Sequence, residues 1–552
     1  MMILSTELFK FDALSDFVAI FITLFSLLIL IYSFGYMRQR KGMMLYYLYI
    51  VLTFIASLGA VFSNNLILFI VFWGFLGILL YLLIGFGQKE NTPATAKKAF
   101  IIIGGSDALM LLGLALIWRI AGSLQMDKIS IALDSKLAIW AYLFLAAGAF
   151  AKAGAMPFHT WVPDTAEDAP TPVAAFLPAS LDKLLGIYFL ARITLYMFKM
   201  SSAMNTFLMA IGSFTIVAAV MMALVQHDLK KLLGYHAVSQ VGYMVLGIGT
   251  GNPIGIAGGL FHMLNNALYK SCLFLGGGAV EKETGTTDLG KLGGFAKVMP
   301  ITFVTFLIAS LAISGVPPLN GFASKWMVYQ GIIETNKDGG FLWILWLVAA
   351  LFGSALTLAS FMKLLHAVFL GQRSPSLKGT GDQRKEAPLS MWVPSAILAL
   401  LCIIFGVFAY HVPIKLFLAD AIPGDIVWYG LWNSGLATIL ILVGIAVGIV
   451  IFLLGTIAKT RRTEIFVGGE SVKANPDMRL SGTEFYNTVK EMGFLGTMYR
   501  LAAKKAFDIY SIGGRIISGC NRLLGGLHNG VLPTYLSWCL LGMIILFFLL
   551  LR

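Results

Sequence analysis

Long apolar runs recur along this 552-residue sequence, and they limit the folds open to it more than any other feature. Each run has about 18 or more residues, enough to cross about 30 Å of hydrocarbon as an α-helix. Of all residues, 58% are apolar and 12% are charged, so too few polar side chains exist to cover a soluble core. The sequence therefore predicts an all-α polytopic membrane protein rather than a β-barrel, whose segments would be short and alternating.

We predict about fourteen transmembrane helices. They lie at 13–36, 44–63, 65–87, 98–120, 137–156, 172–196, 203–226, 234–250, 254–279, 299–333, 341–370, 391–410, 433–458 and 533–551. The segment at 299–333 is too long for one span and is interrupted by Pro317 and Pro318, so we expect two half-helices there. Irregular backbone at this depth is stable only where protein or a water-lined cavity covers it.

A lysine beside a helix break occurs twice. Lys152 precedes Pro157, and Lys325 follows Pro318. Each break falls in a block of about five helices, and paired interrupted helices are typical of transporters built from repeats. An odd number of spans per block predicts two inverted five-helix repeats, each with a broken helix. The two blocks are 44–196 and 203–370.

The other regions flank these blocks. We expect an N-terminal transmembrane helix within 1–43, peripheral transmembrane helices at 371–458 and a C-terminal anchor helix at 533–552. The charged stretch at 459–532 mixes apolar and basic residues, which favours an amphipathic lateral helix along the cytoplasmic face of the membrane. An ordinary cytoplasmic linker is the alternative for this stretch.

The net charge of +13 fits a membrane protein with basic loops. Lys and Arg are more frequent in the loops that lie inside when the N-terminus is outside. This bias predicts a multi-pass protein of the cell inner (cytoplasmic) membrane with both termini on the outer side. The charge is therefore assigned to loops and to the lipid bilayer, not to nucleic acid.

The sequence predicts no cofactor and no metal site. The four cysteines are scattered without a CxxC or Cys/His spacing, so no iron–sulfur cluster, haem or zinc site is expected. No GxGxxG or P-loop follows a strand pattern, so no nucleotide site is expected either. The chain itself carries no redox centre, and we assign it no catalytic residue.

Three lysines in apolar surroundings are the leading candidates for an ion pathway: Lys152, Lys270 and Lys325. Burial disfavours the charged form of a lysine and a nearby carboxylate favours it, so a lysine with a movable acidic partner can take up and release a proton. Snorkelling to the interface or a structural ion pair is the alternative for each.

Other titratable residues fill out the predicted pathway. His262 lies eight residues from Lys270, about two helical turns, which suggests a water-linked relay. Neighbours in a helix point to different faces, so one of Asp182 and Lys183 could serve the pathway while the other balances charge. Asp107 is either a pathway acid or a backbone cap, and Lys363 is a further candidate inside a span.

The remaining polar residues have simpler interpretations. We expect a proline-rich acidic loop after Pro157 to shape an aqueous opening. Its members are His159, Asp164, Glu167 and Asp168. His236 and His366 lie near the inner ends of spans, where a solvated histidine is expected, and Lys230 and Lys231 are expected only to set topology.

Several motifs resemble one family. They are Ala151-Lys-Ala-Gly-Ala-Met-Pro-Phe-His-Thr-Trp-Val-Pro-Asp164, Gln226-His-Asp-Leu-Lys-Lys-Leu-Leu-Gly-Tyr-His-Ala-Val-Ser-Gln-Val-Gly-Tyr243, Phe261-His-Met-Leu-Asn-Asn-Ala-Leu-Tyr-Lys270, Leu292-Gly-Gly294 and Gly315-Val-Pro-Pro-Leu-Asn-Gly-Phe-Ala-Ser-Lys325. Together they resemble the antiporter-like subunits of respiratory complex I, the large Mrp-type antiporter subunits and their counterparts in energy-converting membrane hydrogenases. The resemblance covers about 11–370 and the C-terminal tail, which is similar to the lateral helix and anchor of the distal complex I subunit.

The resemblance implies roles for individual residues. Lys152 matches the central lysine of a first half-channel, Lys270 a lysine of the second, and Lys325 the exit-side residue. Asp182 and Lys183 fall where many members keep a linking lysine.

This sequence also departs from the family pattern. Family members usually carry a Trp–Glu pair whose acid partners the central lysine, whereas here Trp73 is followed by Gly74. Asp107 or an acid from a neighbouring subunit would then pair with Lys152, or the first half-channel would work differently or not at all. Asn266 replaces a family histidine. The sequence starts about two spans later than typical members, which implies that a separate small subunit supplies those helices.

Three functions are compatible with these features. The first is a proton-pumping, or sodium/proton-exchanging, subunit of a redox-driven NADH dehydrogenase-like or hydrogenase-like complex. Its partners would be other membrane subunits, including small antiporter-like ones, and a peripheral iron–sulfur arm. The second is a subunit of a gradient-driven Mrp-type cation/proton antiporter. The third is a companion subunit for inorganic-carbon uptake or a membrane scaffold with a silent channel.

Overall fold

The protein is almost entirely helical. The computed structural model describes residues 8–38, 40–338, 340–372, 385–427, 434–454, 482–528 and 530–551. The chain forms two compact units, Met1–Met492 and Gly493–Arg552. Within the described ranges, the only strands are β1 (Ile131–Ala132) and β2 (Phe198–Lys199), which pair in parallel.

The helices of the first unit follow one another with short connections. The first eight are α1 (Ala13–Tyr36), α2 (Met43–Phe62), α3 (Leu66–Ile84), α4 (Thr92–Ala121), α5 (Lys136–Ala153), α6 (Trp161–Asp168), α7 (Thr171–Phe176) and α8 (Asp182–Arg192). The next nine are α9 (Ser202–Leu224), α10 (Leu229–Gly249), α11 (Pro253–Thr284), α12 (Pro300–Ser314), α13 (Asn320–Glu334), α14 (Leu342–Leu365), α15 (Leu389–Val407), α16 (Ser434–Leu454) and α17 (Asn487–Glu491).

The prediction of an all-α polytopic membrane protein is confirmed. Each of the fourteen predicted segments coincides with a helix or with a pair of helices in the described ranges. In that part of the chain, ten helices are long and apolar enough to cross a membrane, which is fewer than fourteen. The difference lies in α10, α11, the α12–α13 pair and α16. Buried polar residues lower the hydropathy of α10 and α11, and α12 and α13 have only 15 residues each.

The first helix break lies at the end of α5. Gly154 ends this helix with φ 80°, a left-handed conformation that favours glycine. A 3₁₀ turn at Phe158–Thr160 then leads into α6, so the expected acidic loop is in fact a short helix. The expectation of a loop was wrong because Pro163 lies in the first turn of α6, where its missing N–H costs no helical hydrogen bond.

The second break separates α12 from α13, as predicted for 299–333. Gly315 ends α12 with φ 81°, and α13 begins at Asn320 after the two prolines. Both breaks therefore use a left-handed glycine followed by proline. Each leaves the last carbonyl groups of a half-helix without helical partners inside the protein.

The centre of the first unit is built around α10 and α11. Almost every α11 side chain between Ile254 and Val280 is buried, and α11 packs against α7, α10, α12, α13 and α15. The buried positions of α11 are not all apolar, since they include His262, Asn265, Asn266 and Lys270. These residues belong to a row of buried polar side chains inside the helix bundle, which we call the polar seam and which extends to Lys152 and Lys325.

A bidentate ion pair joins α8 to the start of α1. Arg192 at the end of α8 donates to both carboxylate oxygens of Asp12, at 2.6 and 2.9 Å, and Asp12 also caps the N-terminus of α1. Bidentate pairing fixes geometry as well as charge. It ties the first described helix to the helix that carries Asp182 and Lys183.

The second unit contains α18 (Gly493–Ala503), α19 (Ile509–Leu527) and α20 (Leu532–Leu550). Lys505, two residues after the end of α18, has a positive φ of 56°. Asp508 caps α19, because its side chain accepts a hydrogen bond from the backbone N–H of Tyr510. The predicted lateral region at 459–532 thus contains three helices within the described part, α17, α18 and α19, while its first portion, 459–481, lies outside the described residues. The domain boundaries proposed from the sequence stay predictions.

We predict that a larger side chain at Gly186 disrupts the packing of α8 on α5. A Cβ atom there would lie 2.5 Å from Ala153 N and 2.8 Å from Ala149 O, and backbone atoms cannot move aside. Gly186→Leu is expected to lower the thermal unfolding temperature of the purified protein in detergent. Gly444→Leu, at a position where no described atom lies within 4 Å, is the control and is expected to leave it unchanged. Equal unfolding temperatures for the two variants would contradict this packing.

Candidate functional site

Lys152 lies in a fully enclosed position near the end of α5. Its side chain is 0% exposed, and its Nζ atom is 3.8 Å from Oδ1 of Asp182, which is 3% exposed. At this separation the contact is an ion pair rather than a hydrogen bond. Lys152 Nζ also lies 5.2 Å from the centre of the Trp73 ring. The acid that contacts the central lysine in this chain is therefore Asp182.

Asp107 contacts the tryptophan whose ring lies near Lys152. Its Oδ1 atom accepts a hydrogen bond of 3.0 Å from Trp73 Nε1. This contact shows that Asp107 binds a side chain and is not a backbone cap. A Cβ atom at Gly74 would have no described atom within 4 Å, so the position of the usual family glutamate is open space. Trp73 thus contacts both Asp107 and Lys152.

Asp182 and Lys183 contact different groups, as their adjacent positions predicted. Whereas Asp182 faces Lys152, Lys183 donates a hydrogen bond of 2.7 Å to the carbonyl oxygen of Ala153. Ala153 is the last residue of α5, so the Lys183 ammonium group lies at the carbonyl end of the first half-helix. A π-helical turn at Leu177–Leu181 immediately precedes the pair, and such turns are frequent at functional sites.

The seam continues from α8 onto α11. Asn266 Nδ2 donates to Ala179 O at 3.3 Å, so α11 binds the π-helical turn directly. One turn further along, Lys270 is fully buried and donates to Leu233 O at 3.0 Å. Asn266 therefore contributes to the contact between α11 and the turn that precedes α8.

His262 and Lys325 form the far part of the seam. His262 shares a hydrogen bond of 2.9 Å with Ser324 Oγ through Nδ1 and one of 3.0 Å with Gln240 Oε1 through Nε2. Lys325, next to Ser324, donates to Ile313 O at 2.9 Å and lies 4.9 Å from the centre of the Tyr243 ring. His262 is thus joined to the Lys325 region through Ser324.

Lys363 contacts the carbonyl end of a third helix, α9. Its Nζ atom donates to Leu224 O at 2.7 Å and to Gln226 O at 2.9 Å, where α9 terminates. Lys183, Lys325 and Lys363 therefore share one arrangement: each ammonium group binds carbonyl oxygens at the C-terminal end of a helix. These oxygens carry partial negative charge, so they stabilise a cation without a formal anion.

Two expectations about basic residues were wrong. His236 is not solvated but fully buried, and its Nε2 atom is 2.7 Å from Ser360 Oγ. Lys230 does more than set topology, since it is buried and bonds to Glu281 Oε1 at 3.2 Å and Ala169 O at 3.0 Å. Helix packing encloses both positions, and position along a span could not reveal this.

Glu281 is a residue that sequence reasoning missed. Besides Lys230, it accepts hydrogen bonds from Tyr36 and Thr171, at 2.8 and 2.5 Å. This carboxylate therefore joins α1, α7, α10 and α11 at one end of the bundle. No spacing in the sequence signals the cluster, because its members are as many as 245 residues apart.

The acidic residues of α6 form ion pairs at the same end. Asp164 is 2.9 Å from Lys98, and Glu167 is 2.7 Å from Lys231. Asp168 accepts a hydrogen bond of 2.6 Å from Thr95. Among the described residues, no group of three His, Cys, Asp or Glu side chains could hold a metal ion. The role of these residues in an aqueous opening stays a prediction.

Two family models match the sequence. Residues 63–357 match the membrane domain described as NADH:quinone oxidoreductase/Mrp antiporter, and residues 7–47 match the N-terminus of NADH-ubiquinone oxidoreductase (complex I) chain 5. The first match spans more than half of the chain and includes both helix breaks.

Curated relatives agree with the family models. The chain is 33% identical to Na(+)/H(+) antiporter subunit A1 of Staphylococcus haemolyticus, over 72% of this chain and 52% of the relative. It is 34% identical to NAD(P)H-quinone oxidoreductase chain 5 of Picosynechococcus sp., over 72% of this chain and 63% of the relative. The matched part of the chain thus spans between half and two thirds of the length of these relatives.

Solved structures share the fold. A chain of the membrane-bound sulfane sulfur reductase, an archaeal respiratory membrane complex, aligns with a TM-score of 0.78 at 24% identity, over 100% of this chain and 91% of that one. A chain of the Mrp complex from Dietzia sp. aligns with a TM-score of 0.67 at 22% identity, over 73% of this chain and 82% of that one. The chain is a multi-pass membrane protein that belongs to the family of NADH:quinone oxidoreductase and Mrp antiporter membrane subunits.

Proposed function

We propose that this chain is an ion-translocating subunit that carries protons through the polar seam from Lys152 to Lys325. The observation that carries the proposal is the row of buried lysines in the first unit. These are Lys152, Lys183, Lys270 and Lys325. A charge at the centre of a bilayer costs about 2.5 to 3.5 kcal/mol even on the most lenient scale, so a fold that keeps four of them needs a use for them.

The contacts of these lysines suit reversible protonation. Lys183 and Lys325 bind carbonyl oxygens, which accept from an ammonium group and remain tolerable beside a neutral amine. A permanent carboxylate partner would instead hold the lysine charged. Lys152 has such a partner in Asp182, but at 3.8 Å the pair is loose enough to separate when a proton moves.

Protons are favoured over sodium ions by the residue types. Lysine and histidine line the seam, and both take up protons but repel or ignore a hard cation. Sodium requires several oxygen ligands around one point, as other hard cations do. Sodium/proton exchange would require such a point elsewhere in the complex.

Asp107 supports the first half of the pathway. It replaces, through Trp73, the acid that the family pattern places at position 74. As a second acid in this region, Asp107 can hold an arriving proton while Asp182 pairs with Lys152. The first half is therefore active in this proposal, in spite of Gly74.

The energy source that we propose is a redox reaction in a peripheral iron–sulfur arm of a larger complex, in the cell inner membrane with both chain termini outside. The full-length fold likeness to a respiratory membrane complex supports this choice, because it includes the C-terminal helices α18–α20. A gradient-driven cation/proton antiporter is the second candidate, and the relative from Staphylococcus haemolyticus favours it. In both cases the chain works beside other membrane subunits.

Mass spectrometry of proteins that co-purify with this chain in mild detergent separates the two energy sources. We expect iron–sulfur or nickel-containing subunits together with small membrane subunits. Recovery of small membrane subunits alone would contradict the redox proposal and support the antiporter.

We predict that Lys152→Ala and Lys325→Ala each stop proton transport while the complex still assembles. Removal of a proton-transfer group typically costs about 10²-fold or more in rate. The measurement is acidification of inverted membrane vesicles that contain the intact complex, normalised to the amount of complex. Lys128→Ala removes an exposed lysine and is the matched control. Normal transport by both seam variants would overturn the proposed pathway.

We also predict that Asp107→Asn impairs transport and that Gly74→Glu in the same chain restores much of it. The side chain introduced at position 74 enters open space beside Trp73, where it can supply the acid lost at position 107. Asp134→Asn, at an exposed acid, serves as the control in the same vesicle assay. Full transport by Asp107→Asn alone would show that Asp107 is not part of the pathway.

A further inference from the structure

His236 is a buried titratable residue that the proposed pathway does not use. It lies on α10, away from the His262–Ser324–Lys325 contacts, and is fully enclosed. Its Nε2 atom is paired with Ser360 on α14 at 2.7 Å. Its Nδ1 atom has no hydrogen-bond partner among the described protein groups. A buried ring nitrogen normally has a partner, either protein or water, so this atom faces a position that a water can occupy.

One side of His236 leads to Lys270. The imidazole ring lies 4.8 Å from the ring of Phe361, measured between centres, and Lys270 Nζ lies 5.4 Å from the centre of the same ring. Lys270 also binds the carbonyl oxygen of Leu233, which precedes His236 by three residues on the same helix. Residues three apart share a helix face, so the lysine and the histidine occupy one pocket lined by Phe361.

The other side of His236 leads to Lys363. Ser360 and Lys363 are three residues apart on α14 and therefore also share a face. Lys363 binds the carbonyl oxygen of Leu224, the last residue of α9, and that of Gln226, two residues beyond it. The next residue, His227, is exposed and lies 3.1 Å from Lys490. Lys363 is thus a buried group that contacts the backbone next to this solvent-facing loop, on the side that the lysine distribution predicts to be cytoplasmic.

The charged groups that these contacts place around His236 are basic: Lys270 shares the Phe361 ring with it, and Lys363 lies three residues from Ser360 on α14. Among the described residues, no carboxylate bonds to His236 or to Ser360. A histidine used only to neutralise or anchor charge would be expected beside an acid. Between basic groups, a neutral imidazole that passes protons onward without keeping them is the arrangement that the surroundings favour.

We propose that His236 is a proton relay that connects Lys363, at the cytoplasmic end of α9, with Lys270 in the buried seam. The branch Lys363–Ser360–His236–Lys270 gives the second half of the chain its own proton access, separate from the α5–α8 region. The inference rests on the proposed proton-carrying function and adds a route to it.

Each step of the branch balances. An ammonium proton from Lys363 passes to the Ser360 hydroxyl, directly or over one water, while the hydroxyl hydrogen moves to His236 Nε2. The imidazolium then releases its Nδ1 proton, over the water that Nδ1 faces, to a neutral Lys270. The ring ends as the other tautomer, with its hydrogen on Nε2, and a ring rotation resets it. No oxidant or reductant is needed.

The test is His236→Gln in the intact complex, because glutamine can still bind Ser360 but cannot relay a proton. Proton transport in inverted vesicles is expected to fall by the share of protons that enters through this branch, since the entry at the α5–α8 region remains. Lys363→Met is expected to give the same loss, and the double variant no further loss, since groups acting in series are not additive. His411→Gln, at an exposed histidine, is the matched control and is expected to transport normally.

A second variant separates a relay from a structural role. His236→Ala leaves space for free imidazole, and added imidazole is expected to restore part of the transport. If His236→Gln fails to assemble, this rescue decides the question. Normal transport by His236→Gln, or a defect in His236→Ala that imidazole leaves unchanged, would overturn the branch. If His236→Gln transports normally while Lys325→Ala does not in the same vesicle assay, the main pathway stands without the branch. If Lys325→Ala transports normally, the proposed function itself fails.

Discussion

The cost of a lysine ammonium group in hydrocarbon is the constraint on which this structure depends. The fold meets it by ending helices inside the protein and placing lysines at their carbonyl ends. Lys183 binds a carbonyl oxygen at the end of α5, Lys325 binds one at the end of α12, and Lys363 binds one at the end of α9. A helix end supplies partial negative charge without a titratable acid, so the lysine can lose its proton without leaving a buried anion behind.

The two broken helices follow from this requirement. Gly154 and Gly315 take left-handed conformations that few other residues adopt, and prolines then prevent the helices from continuing. Exposed to lipid, such breaks would leave carbonyl groups unsatisfied. The close packing of α8 on α5, and of α11 on α13, keeps lipid away and brings the lysines of neighbouring helices to the breaks.

Much of this architecture could be predicted from the sequence because its signals are local. Apolar runs locate the helices, and glycine with proline locates both breaks. Contacts between distant residues could not be predicted. Asp182 became the partner of Lys152, and Asp107 reached Trp73, only through the packing of α3, α4, α5 and α8. Pro163 suggested a loop where the chain forms α6, since proline fits a first helical turn as well as a loop.

Burial was the hardest property to infer. His236 stands near a helix end and follows a charged loop, which is typical of a solvated side chain, yet the surrounding helices enclose it completely. The cluster around Glu281 was missed for the same reason, since its partners come from three other helices. In both cases the chemistry depends on neighbours that sequence spacing does not reveal.

The central claim is that the buried lysines change protonation state and do not merely hold charge. Lys325→Arg tests it most directly, because arginine keeps a positive charge and hydrogen-bond donors but does not lose its proton in proteins. The measurement is the number of protons moved per turnover by the assembled complex in sealed vesicles. This number is expected to fall in the variant although the complex assembles. An unchanged number would show that a fixed charge at position 325 is sufficient and would contradict the relay.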